Sequence, residues 1–153
     1  MKKFLLNVLF TLCWPLIAIY SPLRVRSRIL IIHNNTFLAV KHTFGRSTWG
    51  LPGGGVKIGE SHKSAAIREA REELGIELNE SQVQQLLPVK LYNEGGHLCR
   101  YAMYVVDIQQ LPAISLNTHE LESYAWLAVD APKLAHHTAT AVSSARDQLG
   151  LLK

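Results

Sequence analysis

Two runs near the start of the chain, Arg26 to His33 and Thr36 to His42, are dominated by aliphatic residues and are separated by Asn34-Asn35. Asparagine tolerates the positive φ of a tight turn, so the runs are expected to pair as a hairpin. Trp49 to Leu51 and Gly55 to Lys57 read as short extended pieces around Pro52-Gly53-Gly54-Gly55. From Ser61 to Leu74 the period becomes helical: Ile67, Ala70 and Leu74 share one side, Ser61 suits the N-cap, and Gly75 follows the last turn. Leu86 to Tyr92, Cys99 to Ile108 and Tyr124 to Val129 have strand character, and Thr138 to Leu149 reads as a closing helix with Ala141, Ala145 and Leu149 in line. This order predicts an α/β fold with a mixed β-sheet between helices.

Residues 4–23 break the pattern, since Asn7, Thr11 and Ser21 are their clearly polar positions and apolar side chains surround any helix they form. About 20 residues just cross a ~30 Å hydrocarbon layer, with Pro15 as a kink. Two readings stand for this N-terminal hydrophobic helix. It anchors the chain in a membrane, or it folds back as an extra element on the domain or in a homodimer interface. Arg24, Arg26 and Arg28 outnumber Lys2 and Lys3, which favours a cytoplasmic domain on the inner face of the membrane. Cleavage as a signal peptide is disfavoured, because no small-x-small site follows Ala18.

The whole chain has 153 residues, which suits residues 1–23 as a leader and residues 24–153 as one domain. Its formal charge of +4 suits an anionic ligand, but the cations form no dense patch and no specific nucleic acid is expected. Cys13 and Cys99 stand far apart, so neither a disulfide framework nor a zinc knuckle is indicated. The glycines fit neither a P-loop nor a dinucleotide fingerprint, since no GxxxxGK[ST] occurs and Ile58 stands where a third glycine is needed.

The chemistry concentrates on the first helix. At ~100° per residue, Glu69, Glu72 and Glu73 fall within roughly a third of its circumference, opposite the apolar side. Like charges so placed repel, and Arg68 and Arg71 are too few to neutralise them together with Glu60. A divalent cation is the natural remaining partner. Carboxylates are hard ligands and no His or Cys lies at matching spacing, which selects Mg²⁺ or Mn²⁺ over Zn²⁺. The competing reading is a solvated acidic face.

Gly54, five residues, Glu60, seven residues, then Arg68-Glu69-Ala70-x-Glu72-Glu73-x-Gly75-Ile76 resembles the complete signature of the Nudix hydrolases. The resemblance implies an α/β/α sandwich and hydrolysis of a pyrophosphate bond in a nucleoside diphosphate linked to another moiety, NDP-X. It implies that Glu69, Glu72 and Glu73 coordinate metal with the Gly54 carbonyl. Glu60 and Arg68 would support the loop and helix, with Gly53, Gly55 and Gly75 shaping the backbone. Many relatives place another glutamate six residues before a comparable tryptophan, as metal ligand or base. Glu120 stands at that spacing from Trp126, against the reading of a solvated loop carboxylate.

Glu72 and Glu120 are the candidates for the general base, and Arg68 and Glu73 complete the set expected to carry catalysis. The substrate-binding residues are not identified. Tyr92, Tyr101 and Tyr104 either stack a base or fill the core. Asn93 to His97 is either a pocket loop or a hairpin turn, and His119, His136 and His137 have no assigned role. Lys57 stands where many relatives carry an acidic residue. A function of another class, a nucleotide-sensing module that binds NDP-X without cleaving it, also fits the resemblance, although retention of all three glutamates counts against it.

Overall fold

The computed structural model describes residues 25–43, 47–93 and 98–152 together with positions 12, 13 and 15. The first hairpin forms as its sequence dictates: β1 (Val25–His33) and β2 (Thr36–His42) are antiparallel, with Ile32 opposite Phe37. Asn34 and Asn35 take φ of 44° and 66°, the left-handed region asparagine enters at low cost.

β1 is buried on both faces, which is the signature of a central strand. Four further strands complete the sheet with β1 and β2: β3 (Gly53–Gly55), β4 (Gln84–Asn93), β5 (Leu98–Asp107) and β6 (Leu121–Leu127). Their order is β4-β5-β1-β2-β6, with β3 paired to β1 beside it. β1 and β5 are parallel and the other strand pairs antiparallel, so the sheet is mixed as expected.

One helix covers each face. α1 (His62–Leu74) packs Ala66, Ala70 and Leu74 against Ile29, Ile31, Leu38 and Val40. On the opposite side, α2 (His136–Leu149) packs Ala141, Val142 and Ala145 against Leu30, Ile32, Phe37 and Met103. Each large apolar side chain so buried contributes about 1.5–3 kcal/mol. These two layers therefore carry the fold, and charged groups enclosed by them require a separate reason.

Some boundaries differ from expectation. The glycine turn itself forms β3, while Trp49 and Gly50 make only isolated bridges, to Leu134 and Val40. A side chain at Gly53 would run into the Ser27 carbonyl, so only glycine lets this backbone lie against β1. β6 starts at Leu121, a core residue followed by polar Glu122 and Ser123 that hid the strand. α2 begins after Ala135, which offers no capping side chain and hence no start signal.

The leader, residues 4–23, lies outside the described residues apart from positions 12, 13 and 15, as do residues 94–97 of the glycine-rich stretch. Among the described residues, no helix is long and apolar enough to cross a membrane.

Candidate active site

The caps of α1 fix which side chains meet β3. Ser61 Oγ accepts the Ser64 amide at 3.0 Å, and Gly75, at φ 69°, returns its N–H to the Arg71 carbonyl at 2.9 Å. Gly75 is thus a structural terminator at the far end of the helix. Between the caps the acidic side is not a solvated face: Glu69 is 9% and Glu73 2% exposed, while Glu72 stays exposed. β3 covers the buried pair without side chains of its own. An added Cβ at Gly54 would lie 2.5 Å from Glu69 Oε1, and the Gly53 amide donates to Glu73 Oε2 at 2.8 Å.

Arg68 gathers the other carboxylates. Nε and Nη2 donate to Glu60 Oε1 and Oε2 at 2.8 and 3.0 Å, and Nη2 also reaches the Gly55 carbonyl at 2.9 Å. Nη1 donates to Glu69 Oε1 at 2.7 Å and to Glu72 Oε2 at 2.8 Å. The two-point grip is the geometry in which guanidinium and carboxylate interact most strongly. The Arg68 hydrogen bonds, followed by the Lys57 amide and both positive charges, hold the Glu60 carboxyl down to about 2. Burial raises the Glu72 carboxyl, but contact with Arg68 and the charge of Lys57 more than offset it, leaving it below its ordinary value. The Lys57 pair, 3.5 Å long and exposed, is screened and worth little.

Glu73 is the opposite case. Burial pushes its carboxyl up to about 7, and the charges of Glu69 and Glu120 add to this against Arg28 and the Gly53 amide. Glu120 reaches this neighbourhood through backbone contacts: the Asn117 amide donates to the Glu73 carbonyl at 2.8 Å, and Thr43 donates to the Glu120 carbonyl at 2.9 Å. Its side chain is exposed, with Asn117 Nδ2 3.5 Å from Oε1.

Other candidates lie elsewhere. Tyr92, Tyr101 and Tyr104 are buried in the two apolar layers, with Tyr92 and Tyr101 in ring contact at 5.6 Å. His136 sets its ring 6.0 Å from Tyr92, His137 lies 4.6 Å from Tyr101, and His119 is exposed. One residue escaped the sequence reading. Arg28 is 5% exposed, and its Nη1 donates to the carbonyls of Leu51, at 3.2 Å, and Gly53. Its signal was an arginine at an inward position of an apolar strand, masked by its resemblance to a charge flanking the leader.

Among the described residues no three His, Cys, Asp or Glu side chains converge as a ready-made ion site, and Arg68 holds both Glu69 and Glu72. The donor set nevertheless fits a hard divalent cation. It consists of carboxylate and backbone oxygens, Gly54 leaves room for the Glu69 carboxylate, and Glu73, raised chiefly by burial and then by the charges of Glu69 and Glu120, is a buried carboxyl that a cation would keep ionised.

A family model described as NUDIX domain matches residues 22–146. An RNA pyrophosphohydrolase of Psychromonas ingrahamii is 33% identical over 75 residues, which is 49% of this chain and 37% of that protein. The chain therefore aligns with little more than a third of that relative. The MutT NUDIX hydrolase structure from Burkholderia pseudomallei superposes with a TM-score of 0.69 at 26% identity, over 79% of this chain and 96% of that one. A bifunctional NMN adenylyltransferase/ADP ribose pyrophosphatase from Francisella tularensis, solved with AMP and a manganese ion, gives 0.70 over 96% of this chain and 47% of that one. At 18% identity it is a likeness of fold. With the signature assembled on β3 and α1 and the family model spanning most of the chain, this protein belongs to the NUDIX domain family.

Proposed function

We propose that the chain is a pyrophosphohydrolase that uses Mg²⁺ or Mn²⁺ to hydrolyse NDP-X, cleaving a phosphoanhydride bond with water. The observation that carries this reading is the burial of Glu69 and Glu73 against a glycine strand. Enclosing carboxylates costs several kcal/mol unless a counter-charge is supplied, and a surface acidic helix has no need of it. The similarity to an RNA pyrophosphohydrolase over 75 residues supports the same chemistry.

Glu69, Glu72 and Glu73, with the Gly54 carbonyl and Glu120, are the groups that would hold the cation. When bound, it supplies charge neutralisation at the phosphate oxygens and makes water a better nucleophile at neutral pH. The protein's own contribution is preorganisation. Arg68 braces β3 through the Gly55 carbonyl and the following turn through Glu60, while the Gly53 amide fixes one oxygen of Glu73. Glu120 and Glu72, both exposed, are the groups that would accept a proton from the attacking water.

The test is product identification with Mg²⁺ and Mn²⁺ over nucleoside triphosphates, ADP-ribose, nucleotide sugars, dinucleoside polyphosphates and 5′-triphosphate RNA. Metal-dependent release of a mononucleotide or of pyrophosphate supports the proposal. Binding across the panel without cleavage would move it to a nucleotide sensor.

A further inference from the structure

Gly53 is gripped from both faces of the sheet. From the α1 side, Glu73 Oε2 accepts its amide at 2.8 Å. From the α2 side, Arg28 Nη1 donates to its carbonyl and to the Leu51 carbonyl, 3.2 Å away. The side of Arg28 is set by its neighbours: its guanidinium carbon lies 5.6 Å from the Tyr101 ring, and that ring lies 4.6 Å from His137 of α2. In register, Arg28 stands opposite Gly53 on β3 and Met103 on β5.

A guanidinium in this layer is a poor choice for packing alone. The layer is built mainly of apolar side chains such as Leu30, Ile32, Phe37 and Met103, and an unbranched apolar chain would fill the position without desolvating a charge. Arginine does what such a chain cannot, donating to the Gly53 carbonyl of β3 and to the Leu51 carbonyl just before it. Gly53 has no side chain to anchor it and sits at φ 135°, a region favoured by glycine alone. The Arg28 clamp supplies the missing anchor.

We infer that Arg28 is a positioning residue for Glu73: by clamping the carbonyls of Leu51 and Gly53, it holds the Gly53 amide on one oxygen of Glu73 and commits the other to metal binding. The inference rests on the reading of Glu73 as a metal ligand. Loss of a partner that orients a ligand typically weakens metal binding ~10- to 100-fold. Both bonds leave the same nitrogen, Nη1, and the lysine ammonium keeps the charge but sits one bond closer to the backbone, so lysine restores the clamp only in part.

The test measures Mn²⁺ binding by electron paramagnetic resonance of the free ion, alongside thermal melting and steady-state kinetics. Arg28→Met is expected to weaken Mn²⁺ binding ~10-fold or more and to lower kcat while leaving KM for nucleotide within ~3-fold, with Arg28→Lys intermediate. Met103→Ala, on the neighbouring strand of the same layer, is expected to lower the melting temperature and leave Mn²⁺ binding intact. Should Arg28→Met fail to fold, Arg28→Lys alone is expected to weaken Mn²⁺ binding by ~3-fold or more. Wild-type affinity in the Arg28 variants, or equal weakening in Met103→Ala, would reduce Arg28 to a packing residue and overturn the inference. Absence of Mn²⁺ binding by the unmodified protein is a distinguishable result that removes the metal-site reading and this inference together.

Discussion

Arg68 holds Glu60 at two points, Nε to Oε1 at 2.8 Å and Nη2 to Oε2 at 3.0 Å, which fixes the guanidinium plane that also serves Glu69 and Glu72. Glu60→Gln removes the charge and one acceptor of that fork. The expected result is a stability loss of about 1–3 kcal/mol in urea unfolding and a fall in turnover, although Glu60 itself does not act on substrate. Arg68→Lys should not restore function, because an ammonium cannot span the same oxygens.

Adjacent glycines should fail in different ways. Gly53→Ala forces a side chain into the Ser27 carbonyl at φ 135°, so it should destabilise the fold by about 1–3 kcal/mol or more. Gly54→Ala meets only the movable end of Glu69, at 2.5 Å from Oε1. It should melt within a few degrees of the parent yet lose metal affinity and activity. Parent-level metal affinity in Gly54→Ala would contradict the assignment of Glu69 to the site.

The strand–turn–helix frame of this site was legible because each signal is local: Asn34-Asn35 for the hairpin, Ser61 and Gly75 for the limits of α1, and the spacing of Glu69, Glu72 and Glu73. What stayed hidden depends on partners distant in the chain. Burial of Glu69 and Glu73 arises from β3, and the role of Arg28 from carbonyls that the fold brings to it. From sequence the glycines look like a turn between strands, since a strand with no side chains leaves no alternation to detect.

Acid should weaken the fold partly through His42. Burial, then the charges of Arg28, Arg26 and His137, lower its ring from 6.5 to about 3. The folded protein therefore keeps His42 neutral while the unfolded chain takes up a proton below about pH 6.5. Its contribution is complete above that pH and is lost progressively as pH falls from 6.5 towards 3. His42→Asn should flatten the drop in melting temperature between pH 7.5 and 5. An unchanged slope would show that His42 is protonated in the folded state.

Glu120 is exposed and tethered mainly by backbone bonds. Glu120→Gln should therefore leave stability within about 0.5 kcal/mol. Turnover should fall ~10-fold or more if the carboxylate binds metal or accepts the proton. Parent-level turnover would return Glu120 to the status of a solvated loop residue.

The most direct measurement is hydrolysis of an active NDP-X substrate in ¹⁸O-labelled water, comparing the parent protein with Glu73→Gln. The glutamine keeps an acceptor for the Gly53 amide and removes the ligand charge. The proposed chemistry predicts one ¹⁸O in a phosphoryl product, strict dependence on Mg²⁺ or Mn²⁺, and a loss of at least ~10²-fold in the folded variant. Metal-independent turnover, or near-parent activity in Glu73→Gln, would contradict it.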